Sequence, residues 1–194
     1  MTYSELITQV GQYMHRTDLV GMVPTFVEQA EAKLNRALRV REMEGAIAST
    51  TINASNEIAL PADFGAIKHI WPVNYPQSSI DPQTLEYVVA RNRQSGTPTV
   101  YAVKASALLF DGSGDVQGVY FKRLPNLTTN STNWLSSAAP DVYLWSVLAE
   151  AAAYTMDQGM AAMCEAKSQA AIQSLQGADM RDRFTAGLRA SKRH

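Results

Sequence analysis

Residues 140–178 read PDVYLWSVLAEAAAYTMDQGMAAMCEAKSQAAIQSLQGA, two helices laid side by side, and this hairpin sets the fold class. Pro140 suits the first helical position, where its missing N–H has no bond to lose. Val142, Trp145, Leu148, Ala149, Ala152 and Met156 recur at helical spacing and predict a buried stripe with Trp145 in the core. A break at Asp157-Gln158-Gly159 leads into a longer helix carrying Met160, Met163, Cys164, Ala171, Leu175 and Ala178. Alanines at 149 and 151–153 face alanines at 161, 162, 166, 170 and 171, which lets the two axes approach closely.

A second helical pair stands at the other end of the chain. Leu6, Ile7, Val10, Tyr13 and Met14 predict a helix over Thr2–His15, with Thr2 or Ser4 as cap and Glu5 favourable in the first turn. Thr17 to Gly21 reads as a turn. Pro24 then opens a helix whose stripe is Phe26, Val27, Ala30, Leu34, Ala37 and Leu38.

After Glu44 the period changes. Ala46–Ile52 and Asn56–Leu60 are strand-like and separated by Asn53-Ala54-Ser55-Asn56, the chemistry of a hairpin turn. Ala66–Val73 supplies another strand, and Asp81-Pro82 predicts a short helix through Tyr87. Thr99–Lys104, Ala107–Phe110 and Val116–Lys122 complete one antiparallel sheet, turning at Ala105-Ser106 and at Asp111-Gly112-Ser113-Gly114-Asp115. From Arg123 to Ala139 the sequence is polar and aperiodic, a length that is uncommon for an idle connection.

Helices, then strands, then helices without alternation predict an α+β fold. The expected domain is single: 1–42 and 138–182 form a helical bundle, 43–122 a β-rich insertion, 123–137 a polar loop and 183–194 a flexible basic tail.

Composition excludes several classes of function. The chain is 46% hydrophobic and 18% charged, so it folds rather than staying disordered. Its net charge is −1, yet Arg181–His194 alone carries +4, which leaves −5 for the body. An acidic body with a basic tail predicts that the tail meets something negative. The single cysteine, Cys164, rules out an internal disulfide or a cysteine zinc cluster and reads as an inert buried thiol. No start-proximal apolar run matches a signal peptide and none reaches the ~18 residues that span a bilayer, so synthesis in the cytosol is expected. The three Asn-x-Ser/Thr sequons, at Asn53, Asn126 and Asn130, then carry no meaning.

The search for chemistry comes out empty. The three histidines, His15, His69 and His194, have no metal-ligand partner at helical spacing. Asp111 to Asp115 starts like a calcium loop, but Val116 stands where Gly is needed and Lys122 where a bidentate Glu belongs. It reads instead as a Gly-rich hairpin turn. The sequence has neither a phosphate-binding loop nor a Gly-x-Ser-x-Gly elbow. The acidic body argues against a nucleic-acid-binding domain. The expectation is a non-enzymatic protein with no metal or cofactor.

One succession of short motifs carries a resemblance. Leu60-Pro61-Ala62-Asp63-Phe64 is followed by Gly96-Thr97-Pro98 with Tyr101, then Tyr120-Phe121-Lys122-Arg123-Leu124-Pro125. Asn133-Trp134-Leu135, Pro140-Asp141-Val142-Tyr143-Leu144 and Leu148-Ala149-Glu150-Ala151-Ala152 complete it. In this order, from about Tyr3 to Arg183, the chain resembles the adaptor, or head-to-tail connector, proteins of tailed bacteriophages.

The resemblance implies a virion protein, assembled in the host cytoplasm, that binds beneath the portal as a dodecameric ring. Such a ring extends the DNA channel, which DNA crosses without sequence-specific binding, and presents a platform for tail or nozzle proteins. No membrane is involved. An acidic wall would suit such a channel because it does not hold phosphates. On this reading the tail supplies the portal contact, with Phe184 and Leu188 as apolar anchors and Arg183, Arg189, Lys192 and Arg193 meeting acidic surface. Asn126, Asn130, Asn133 and Trp134 mark the loop as a tail-side or inter-subunit surface. Two alternatives remain. A tail-associated cell-wall hydrolase would use a carboxylate pair such as Asp111 and Asp115, and a helical-repeat scaffold would need a period that recurs nowhere else in the chain.

Overall fold

Thr2 opens the first helix, α1 (Tyr3–Met14). Its Oγ1 accepts from the Glu5 N–H at 3.2 Å while Glu5 Oε2 accepts from the Thr2 N–H at 2.9 Å, so two of the orphan donors of the helix start are satisfied reciprocally. The structure is a computed structural model and describes residues 1–16, 18–91 and 95–190, with side chains up to Phe184. Of the predicted turn from Thr17 to Gly21, Thr17 lies outside the described residues, and a 3-10 turn at Val20–Met22 leads into α2 (Val23–Ala37). Phe26, Val27, Ala30 and Leu34 are buried along α2 as its period requires.

The chain divides into two compact units, Met1–Glu42 with Leu124–His194, and Met43–Arg123. The first is helical. Besides α1 and α2 it contains α4 (Trp134–Ala138), α5 (Pro140–Tyr154) and α6 (Gln158–Ala190). The short α4 lies inside the stretch read as aperiodic loop. Asn133 caps it through a box with Ser136, and five residues are too few to show a period. At the other end, α6 passes Arg183, the predicted start of the tail, and continues to Ala190. Thr185-Ala186-Gly187-Leu188-Arg189-Ala190 contains no proline to end it.

At the centre of this unit α5 packs against α1, α2, α4 and α6. The single predicted stripe therefore needs correction. Tyr143, Val147 and Ala151, all off that stripe, are fully buried, whereas Met156 is 87% exposed at the turn and Trp145 only half-buried. A helix covered by neighbours on several sides has no outward face to pattern. The Trp145 ring instead meets Tyr13 edge-on at 5.6 Å and carries Lys167 Nζ over its face at 4.0 Å. Trp145→Ala should accordingly cost about 2 kcal/mol, below the ~3–5 kcal/mol of a fully buried aromatic. Urea denaturation checks this, and a cost above about 4 kcal/mol would place the ring in the core.

The second unit holds two sheets, not the one antiparallel sheet the sequence predicts. β1 (Glu44–Thr51) and β3 (Phe64–Pro72) flank β7 (Asp115–Lys122) in one antiparallel sheet. The other runs β2 (Glu57–Ala59), β6 (Ala107–Phe110), β5 (Val100–Val103), β4 (Asp81–Pro82), with β4 parallel to β5. Ile47, Ile58, Ile70, Leu108, Phe110, Val116 and Tyr120, drawn from both sheets, share one core.

Of the three predicted turns, Ala105-Ser106 joins β5 to β6 as a hairpin, while Asn53–Asn56 and Asp111–Asp115 are crossings between the sheets. At the first, Asn53 Oδ1 accepts from the N–H groups of Ser55 (2.8 Å) and Glu57 (3.0 Å) and Asn56 sits at φ 59, so the turn chemistry is as read. A turn signal specifies a reversal, however, and says nothing about which strand comes next as partner. At the second, Gly112 is required because a Cβ there would lie 2.4 Å from the Gly96 carbonyl oxygen, and Gly114 takes φ +120. Asp81-Pro82 does not open a helix either. The N–H groups of Asp81 and Gln83 donate to the carbonyls of Thr99 and Tyr101 at 3.0 and 2.8 Å, and Thr84 caps α3 (Leu85–Ala90) instead.

Candidate functional site

The titratable groups singled out by sequence are committed to internal contacts or stand apart. Asp111 is fully buried. Its Oδ1 accepts from the Thr99 and Val100 N–H groups at 2.8 and 3.1 Å, its Oδ2 accepts from the Thr99 hydroxyl at 2.8 Å, and Arg91 Nε lies 3.3 Å away. Burial alone would raise this carboxyl; the hydrogen bonds and Arg91 outweigh it and hold the group below the usual carboxylate range. Asp115 turns elsewhere and accepts from the Thr51 hydroxyl at 2.6 Å. The two carboxylates therefore flank no shared cleft, which removes the pair proposed for a hydrolase.

His15 caps α1 in the left-handed region at φ 49, exposed, and His69 stacks on Trp71 at 5.0 Å. His194 lies outside the described residues. Cys164 is buried, and that burial pushes its thiol above its ordinary value, so it is a poor nucleophile. Among the described residues no three His, Cys, Asp or Glu side chains gather as a metal site, and no helix is long and apolar enough to cross a membrane.

The polar segment after Arg123 is organised by a buried network that the sequence reading missed. Glu31, on α2, is buried and accepts at Oε1 from the Leu127 N–H (2.7 Å) and from the Tyr143 hydroxyl (2.9 Å). Asn133 Nδ2 donates to the Tyr143 oxygen (2.6 Å) and to the Pro125 carbonyl (2.8 Å). One turn along α2, Asn35 Oδ1 accepts from the Leu124 N–H at 2.7 Å. Burial pushes the Glu31 carboxyl up, only partly offset by Leu127 and Tyr143, and the Glu28 charge adds to the rise. Burial and the Glu31 charge likewise drive the Tyr143 hydroxyl far upward, so it stays protonated as a donor. The signal for this network was available: Glu31 follows Val27 by four residues and precedes Leu34 by three, a charge on the buried stripe.

Of the loop residues proposed as an interface, Asn133 is thus a core group and Trp134 is half-buried, while Asn126 is spent locally. Its Oδ1 accepts from the Thr128 N–H and hydroxyl at 2.8 and 2.6 Å, and its carbonyl accepts from Asn130 Nδ2 at 2.8 Å. Exposure is concentrated at the tip, from Thr129 to Thr132. The loop has a fixed base and a presented tip.

At the far end of α6, Arg183 Nε pairs with Asp179 Oδ2 at 2.8 Å, and Asp179 Oδ1 also accepts from the Arg41 N–H at 3.2 Å. Gln176 Nε2 donates to the Ala37 carbonyl at 2.9 Å. Met180 and Phe184, in contrast, are 61% and 68% exposed. Leu188 and Arg189 fall within α6 without described side chains, and Lys192 and Arg193 lie outside the described residues.

Several of the short motifs that carry the resemblance touch one another. The Tyr120 hydroxyl donates to Asp63 Oδ1 at 2.8 Å, the Arg123 N–H donates to the Asp63 carbonyl at 2.7 Å, and Phe64 stacks on Tyr120 at 6.0 Å. Burial and Asp63 together push the Tyr120 hydroxyl up to about 12. Asn133 and Tyr143 join two further motifs in the bundle. Comparison with known families agrees: the family model described as SU10 adaptor protein matches residues 1–191. None of the curated proteins compared matches the chain. The chain belongs to the SU10 adaptor protein family, structural adaptor proteins of bacteriophage.

Proposed function

We propose that this adaptor is the subunit of a ring seated beneath the portal, where it extends the DNA channel and offers the tail its platform. The observation that carries the reading is the family match along residues 1–191. Two features support it. The carboxylates Asp111 and Glu31 are both sealed inside and serve architecture, not chemistry. The exposed features are of the kind used in assembly, a clamped loop with its tip at Thr129–Thr132 and apolar side chains at the end of α6.

In this reading the segment from Arg183 onward meets the portal or a neighbouring subunit. Phe184 and Leu188 supply apolar contact, and Arg189, Lys192 and Arg193 supply charge. Asn130 stands at the loop tip towards the tail or the next subunit, and Asn126, Asn133 and Trp134 fix the shape of its base. DNA passes without being held, and the protein resides in the virion at the head–tail junction.

Mixing the purified protein with its portal and imaging the product by electron microscopy tests this directly. The expected result is a ring added to one face of the portal. Deleting residues 185–194 should leave the melting temperature within about 2 °C and weaken portal binding at least about ten-fold, a loss of ~1.4 kcal/mol. Binding of the full-length chain should also fall as salt rises, and that of the truncated chain much less. Full-length protein that leaves the portal undecorated at micromolar concentration would overturn the proposal.

A further inference from the structure

We infer that the helical unit holds a binding site for a small neutral molecule, a single ring or short branched chain carrying one acceptor oxygen, in the cavity between α2, α5 and α6. This goes beyond the ring reading and does not depend on it. The cavity has a volume of about 170 Å³. Leu34 on α2, Ser146 on α5 and Ser168 on α6 form its buried wall, and Lys33, Glu165 and Gln169 stand at its mouth. An apolar cavity of ~150 Å³ is enough to bind benzene, so the space admits one ring with a small substituent.

The two serines determine what else the occupant carries. Ser146 and Ser168 are 6% and 5% exposed, and their hydroxyl oxygens lie 2.8 Å apart. Two hydroxyls bring two protons, and the bond between them uses one. Among the described residues neither hydroxyl has another partner, so the second proton is a buried donor at the cavity wall without an acceptor, an arrangement that folded proteins avoid. Water alone does not suit the rest of the space. Each molecule takes ~30 Å³ and needs two to four polar partners, whereas Leu34, Ala37 and Ile172 line the cavity beyond the serines. An oxygen on an apolar body meets both demands. The mouth excludes charge. Lys33 Nζ is paired with Glu150 at 2.5 Å, and Glu165 accepts from Gln169 Nε2 at 3.2 Å. An anion would face Glu165 and a cation Lys33, and each would give up its water for an apolar wall.

Calorimetric titration of the full chain with phenol and with toluene, which match in size and differ in the oxygen, tests this. Phenol should bind with a Kd at or below ~1 mM, and toluene at least about ten-fold more weakly. Ser146→Ala combined with Ser168→Ala removes both hydroxyls at once, a change the fold tolerates because neither is left without the other. Phenol should then lose its advantage over toluene. Ala37→Met, at an exposed position on the rim, should fill the space and weaken phenol at least about ten-fold. Wild-type protein that leaves phenol unbound at ten times that concentration would overturn the inference. So would phenol and toluene binding alike, a preference that survives in the double serine variant, or phenol binding that Ala37→Met leaves unchanged. Where circular dichroism shows that a variant has lost its fold, the contrast between phenol and toluene on the wild type decides.

Discussion

Asp111→Ala is expected to destabilise the β-rich unit by about 3–5 kcal/mol, because removing one partner leaves buried donors unpaired at ~1–3 kcal/mol each. The Thr99 and Val100 N–H groups would lose their shared acceptor, the Thr99 hydroxyl its partner and Arg91 its counter-charge. Asp111→Asn keeps Oδ1 for the two backbone donors and turns an amide toward Thr99 and Arg91, so it should cost only about 1–2 kcal/mol. Their pH dependence separates the two contributions. The carboxyl is held below its usual range when folded, so its stabilisation is complete above the ordinary value near ~4 and disappears as pH falls through the folded value. Wild-type protein should lose this increment in acid, and Asp111→Asn should not. Trp71 is the tryptophan of this unit, so its fluorescence in a Trp134→Phe, Trp145→Phe background reports the unfolding. A cost below 1 kcal/mol for Asp111→Ala would mean that the donors find water instead.

How much of this was legible in the sequence depends on the range of the interactions involved. Thr2 and Glu5, or Asn53 and Ser55, act within a few residues, so the first helix start and the first turn could be read directly. The pairing of β1 with β7 joins Glu44 to Phe121 across the whole insertion, and no local signal fixes that choice. A turn such as Asn53–Asn56 therefore reads as a hairpin although its strands enter different sheets. The same limit explains α5. Its periodicity was visible, but the number of neighbours covering it was not, which is why Trp145 was assigned to the core and Tyr143 passed over. Asn126 and Asn133 read from sequence as part of a tail-side or inter-subunit surface, yet polarity alone does not say whether an amide faces a partner or closes a buried network. The family resemblance spans both units and reaches further than either kind of local reading, and some of its short motifs meet in the fold, Asp63 with Tyr120 and Asn133 with Tyr143.

The other large effect is expected at Tyr143. Tyr143→Ala should cost the helical unit about 5 kcal/mol, the ~3–5 kcal/mol of an aromatic cavity plus the loss of a buried hydrogen-bonding partner. Against a total stability of ~5–15 kcal/mol, this removes a third or more of what holds the fold together. Tyr143→Phe separates the ring from the hydroxyl. Glu31 then keeps the Leu127 N–H and Asn133 keeps the Pro125 carbonyl, so the cost should be about 1–2 kcal/mol. Its pH profile carries more information than its size. The Glu31 carboxyl is raised in the folded state, so its favourable contribution is complete below the ordinary carboxylate value and is lost as pH rises through the folded value. The Tyr143 hydroxyl opposes that rise by donating to the carboxylate. Without it the folded value moves higher still, and the loss of stability should extend to higher pH in Tyr143→Phe than in wild type. Glu31→Gln cannot titrate and should flatten this part of the curve. Denaturant unfolding at several pH values, followed by Trp145 fluorescence with Trp71 and Trp134 replaced by Phe, measures all three. Identical profiles for wild type and Tyr143→Phe would show that the hydroxyl does not sense the charge on Glu31, and the base of the loop would then be held by packing and by the bonds at Leu124, Leu127 and Pro125.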